Sequence, residues 1–129
     1  MKLNRVLSAM AVLALAVTSA VAADSMGCHR SAQFMGSKAN TGTVMHVVEN
    51  GKSMLRVAAD FKVPDTPAPT WRVVDSKGNI YTLDAFKIKG GEKREVLVPS
   101  YIKDIAKVQV YCAYAEVLLG EAGFSSPVM

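Results

Sequence analysis

Two cysteines, two histidines and one tryptophan are all that 129 residues contain of those types. The scarcity excludes much chemistry. There is no C-x-x-C pair, so dithiol redox motifs, zinc ribbons and C-x-x-C-H haem attachment are absent. A Ser-His-Asp triad would have to use His29 or His46, and no G-x-S-x-G elbow supplies a nucleophile. The Gly90-Gly91 pair reads as a hairpin turn, not a phosphate-cradling loop between strand and helix. No basic block or recognition module supports nucleic-acid binding. Asp60, Asp65, Asp75 and Asp84 stand at strand ends or turns, where local side-chain hydrogen bonds account for them. The chain does not read as a stand-alone enzyme.

The one long apolar run lies at the N-terminus. Lys2 and Arg5 precede Val6–Val17, and the small residues of Ser19–Ala23 offer a cleavage site. This is the layout of a signal peptide spanning residues 1–23. The run is too short for a bilayer-spanning helix, which needs roughly 20 apolar residues, so no membrane anchor is expected after cleavage. Ser25-Met26-Gly27 before Cys28 fits a lipoprotein box poorly. The segment holds two of the 15 basic residues and none of the 11 acidic ones, so the 106 residues that remain carry a formal +2. Export implies an oxidising destination, periplasmic or secreted. There Cys28 and Cys112 can pair, closing a loop worth about 4.7 kcal/mol at roughly 100 residues in the unfolded-state account.

Residues 24–41 are polar, small and aperiodic, and read as a flexible or loosely docked lead-in. They carry soft ligands. Met26, Cys28, His29 and Met35, with Met45, His46 and Met54 beyond, form a thioether, thiol and imidazole set suited to copper(I). Met26, Cys28, His29, Met35 and His46 are the candidate copper ligands.

From Gly42 onward the chain alternates. Gly42–Val48 and Ser53–Phe61 flank Asn50-Gly51, a hairpin signal, with Leu55, Val57, Ala59 and Phe61 expected inward. Three prolines stiffen Val63–Thr70 into a loop. Thr70–Asp75, with Trp71 as a core anchor, pairs with Ile80–Phe86 across Ser76–Asn79. Lys89–Lys93 turns into Arg94–Val98, and Tyr101–Ala106 is expected to form one helical turn. Lys107–Gly120 brings Val108, Val110 and Cys112 onto one face, with Glu116–Leu119 as the last strand and residues 125–129 as a frayed tail. Seven short strands and no helical stretch predict an all-β fold, a small antiparallel β-sandwich over residues 42–124. An exposed edge strand would allow a dimer as well as a monomer.

These stretches carry a resemblance. GTV at Gly42–Val44, LRVAADFKV at Leu55–Val63, APTWRVVDSKGN at Ala68–Asn79, VLVPSYIKDIAKVQVYC at Val96–Cys112 and EVLLGEAGF at Glu116–Phe124 resemble the DM-thirteen domain. That domain belongs to secreted and cell-surface proteins and is related to DOMON β-sandwiches. The resemblance implies a redox or electron-transfer accessory role centred on the cysteine matched by Cys112, acting as a free thiol or helping to hold haem. Tyr111 stands where the family usually has tryptophan. No second redox domain is present, so an electron route needs a separate partner protein. Two other readings stand beside this one. One is a non-catalytic binding or structural module in which Cys112 is a core residue or disulfide-bonded. The other is a periplasmic copper-binding protein.

Overall fold

The computed structural model describes residues 28–129. The expected signal peptide at residues 1–23 and the candidate ligand Met26 lie outside them. The described residues form ten strands and no helix: β1 (Cys28–Arg30), β2 (Val44–Glu49), β3 (Lys52–Val57), β4 (Pro69–Val74), β5 (Ile80–Ala85), β6 (Lys87–Ile88), β7 (Gly91–Glu92), β8 (Glu95–Leu97), β9 (Ile105–Cys112) and β10 (Val117–Val128). One sheet runs β1-β2-β3-β8 and the other β10-β9-β4-β5, with β6-β7 as a small separate ribbon. All pairings are antiparallel, and the two large sheets pack face to face as a β-sandwich. The seven expected strands are present as β2, β3, β4, β5, β8, β9 and β10. Three short strands join them.

The β2–β3 hairpin forms where Asn50-Gly51 predicted it. Both turn residues have positive φ, 52° and 75°, the backbone that Asn-Gly tolerates and most residues resist. Leu55 and Val57 face inward as expected, but β3 stops at Val57. Ala59 is exposed, because the chain turns with the Phe61 N–H donating to the Ala58 carbonyl. That turn returns Phe61 to the core. Near the other end of the sandwich no helical turn forms at Tyr101–Ala106. Tyr101 is exposed, Ile102 and Ile105 are buried, and the Ile102 N–H donates to Pro99 in a tight turn.

Aromatic contacts run through the core. Phe34 lies 4.9 Å from Phe61 between ring centroids, Phe61 lies 5.5 Å from Phe86, and Phe86 stacks on Trp71 at 4.5 Å. The Trp71 indole N–H donates to the Lys93 carbonyl at 2.9 Å, so its polar edge is satisfied in the interior. On the outward face of the second sheet a polar ladder crosses three strands. Arg72 donates to Gln109 at 2.8 Å, and Gln109 donates to Glu121 at 2.9 Å. The Arg72 guanidinium also lies 3.8 Å from the Tyr111 ring centroid.

The lead-in and the tail differ most from the sequence reading. Residues 28–41 are built into the sandwich. β1 pairs with β2, and the following segment crosses to the second sheet and covers the free edge of β10. Ala32, Met35 and Lys38 donate backbone hydrogen bonds to Gly123, Glu121 and Leu119. Phe34 is fully buried. Gly36 and Gly120 meet backbone to backbone there, so closely that a Cβ on either would collide with main-chain atoms of the other segment. A polar composition hid this docking, because main-chain bonds and one phenylalanine hold it. The tail is likewise strand through Val128, which is buried and pairs with Ile105.

Replacing Phe34 by alanine should cost about 3–5 kcal/mol, the range for truncating a buried aromatic. Urea denaturation of the variant measures it. A value near zero would restore the loose lead-in.

Candidate functional site

Cys112 ends β9, opposite Pro69 of β4 and Val117 of β10. Alternation along β9 turns its side chain inward with Val108 and Val110, and it is 1% exposed. The turn Ala113–Glu116 lies over it and is exposed throughout. Glu116 closes that turn with φ 55°, and its N–H donates to the Cys112 carbonyl at 2.7 Å.

The turn directs donors at the sulfur. The Ala115 N–H donates to Sγ at 3.4 Å. This bond is the main cause that holds the thiol below its ordinary pKa of 9.0. Burial opposes it, and the Ala68 and Tyr114 N–H groups and the Thr66 hydroxyl reinforce it more weakly. The Thr66 oxygen is itself buried without a formed hydrogen bond. The arrangement favours a thiolate in a site that solvent does not reach directly.

The proposed disulfide does not form. Both cysteines are free, Cys28 on the edge strand of the first sheet and Cys112 inside the second. Haem does not fit at Cys112 either. The sulfur is enclosed by the turn and the neighbouring strands, leaving no open face for a porphyrin, and none of the three cavities described here is lined by it.

The copper set also comes apart. Cys28 pairs with Val47 and shares its outward face, whereas His29 pairs with His46 on the opposite face. Met35 is 75% exposed and bridges to Glu121 at the edge of the other sheet. No group of three or more His, Cys, Asp or Glu converges among the described residues. Only His29 and His46 come together, with ring centroids 6.4 Å apart and planes inclined by 26°.

His46 is 1% exposed, and its Nε2 makes a 2.6 Å hydrogen bond with Ser53 Oγ. Burial, and secondarily the neighbouring His29, lowers its pKa from 6.5. Ser53 was not singled out from sequence. It sits diagonally from His46 across the hairpin, and only the register reveals the contact. The largest of the described cavities, about 480 Å³, opens beside it between Val48, Lys52, Leu97, Ile102 and Met129. It contains none of the residues that the sequence nominated.

No family model, no curated protein and no solved structure matches the chain.

The fold holds His46 neutral, so below pH 6.5 the unfolded chain binds a proton that the native state resists. Stability should therefore fall as pH drops through about 6.5, and level off below the folded pKa. Thermal melts between pH 8 and pH 5 check this. His46→Gln should flatten that part of the profile.

Proposed function

We propose that this chain is an exported β-sandwich domain with a redox role centred on Cys112, serving a separate redox partner protein. The observation that carries the reading is the Ala115 N–H bonded to the sulfur from a turn that also covers it. A backbone donor stabilises an anion more than a neutral thiol, so the thiolate is favoured where it forms. Export to an oxidising compartment, expected from the N-terminal segment, and the resemblance to DM-thirteen domains at this cysteine support the same reading.

The chemistry is that of a single thiol. When the turn opens, the Cys112 thiolate attacks one sulfur of a partner's disulfide. The partner's S–S bond breaks, its other sulfur leaves as a thiolate, and a mixed disulfide with Cys112 forms. Cys28 is on the other sheet and does not resolve that bond, so a second external thiol completes the cycle. No step uses haem. The burial of the same sulfur favours the rival reading, a binding or structural module with an inert core thiol.

Alkylation of the native protein separates the two. Under the redox reading, Cys112 is modified much faster than the chain unfolds. The rate rises with pH to a plateau whose midpoint lies below 9.0, because the covered state holds the thiolate. Thr66→Val should move that midpoint upward, and glutathione disulfide should trap a mixed disulfide at Cys112. Modification only at the global unfolding rate establishes the inert thiol instead.

A further inference from the structure

The geometry points to a two-histidine site, formed by His29 and His46 between β1 and β2, that binds a divalent transition-metal ion such as Cu²⁺, Ni²⁺ or Zn²⁺. This goes beyond the thiol chemistry of Cys112 and does not depend on it. The two histidines are direct register partners on neighbouring antiparallel strands, so one face of the sheet presents both rings together. Their centroids are 6.4 Å apart and their planes are inclined by 26°. One ion bound at about 2.0–2.1 Å by each ring needs the two nitrogens within roughly 4 Å. His29 is exposed at the sheet edge, and the site requires its ring to turn toward His46 to reach that range.

The second observation is an orphan. His46 Nδ1 is buried and has no hydrogen-bond partner. Its other nitrogen is engaged by Ser53 Oγ at 2.6 Å. With the proton on Nε2 and donated to Ser53, Nδ1 carries a buried lone pair that no donor satisfies. Such a group calls for an explanation, and a bound cation supplies one. Metal-ligating histidines characteristically donate their second ring N–H to a neighbouring acceptor, the role Ser53 fills in that tautomer.

The ligand types choose the ion. Cys28 and Met35 lie elsewhere, so the soft donors that select copper(I) are missing from this pair. Imidazole alone suits Cu²⁺, Ni²⁺ and Zn²⁺, with Cu²⁺ bound most tightly. His29 also lines an open polar cavity of about 290 Å³ with Ser125 and Ser126, which leaves room for water in the remaining positions. Arg30 lines the same cavity and opposes a cation, although its guanidinium is held by Thr43 Oγ1 at 2.8 Å. An ion bridging the two rings would clip the three-residue edge strand to its neighbour.

The test uses the mature chain, stripped of metal and titrated with Cu²⁺, Ni²⁺ and Zn²⁺. The expected result is one ion per chain in the affinity order Cu²⁺ first, with a Cu²⁺ electron-paramagnetic-resonance signal from two imidazole nitrogens. Binding should raise Tm and slow amide exchange in β1. Loss of an outer-shell partner alone costs about 10–100-fold in affinity, so His29→Ala should weaken binding at least tenfold. His29 is exposed, so this variant should keep the metal-free Tm, and it decides the matter even if His46→Asn fails to fold. Cys28→Ser should bind as the parent does. No saturable binding, unchanged affinity in His29→Ala, or loss of binding in Cys28→Ser would each overturn the site.

Discussion

The sandwich depends on a run of aromatic contacts from Phe34 through Phe61 and Phe86 to Trp71. The four rings come from four separate segments: the lead-in, the turn after β3, the link after β5, and β4. Only Trp71 sits in a regular strand. The sheets supply the walls, and the irregular segments insert three of the four rings between them. Close packing of the rings ties each segment's conformation to the others. The Ala58–Phe61 turn, the docked lead-in and the Trp71 bond to Lys93 are all conditions for the rings to meet.

That constraint also shapes the surroundings of Cys112. β9 lies between β4 and β10 and is paired along both edges, which fixes where it ends. The chain must then reverse within four residues to start β10. A turn that tight points its N–H groups back toward the end of β9, where the sulfur sits. The donors that favour a thiolate are thus a by-product of a short β9–β10 connection. Access and activation are opposed here, because the turn that stabilises the anion is also the lid over it.

The two sheets divide the chemistry between them. The thiol belongs to the second sheet, and the paired histidines lie on the edge strand β1 of the first and its neighbour β2. In the first sheet the inner row from His29 through His46 to Leu55 and Val96 changes from polar to apolar away from the edge. His46 stands at the boundary, buried enough to stay neutral and close enough to the rim to meet an exposed partner.

Alternation of apolar residues determined the fold class, the seven main strands and the inward face of Cys112, because a period of two is a local property. The Asn50-Gly51 turn was legible for the same reason: its φ values suit those two residues and few others. Phe34, the docking of residues 28–41 and the strand at Ser125–Val128 were not legible, since main-chain hydrogen bonds to a distant edge leave no pattern in side-chain type. Among the nominated ligands, the sequence by itself supplied His29 and His46 but scattered them among five. Register alone brought those two face to face and turned Cys28 away, because neighbouring residues on a strand point to opposite sides. The identity of the candidate groups was written in the chain. Their company, from Ala115 beside the thiol to Ser53 beside the buried imidazole, was decided only when the strands met.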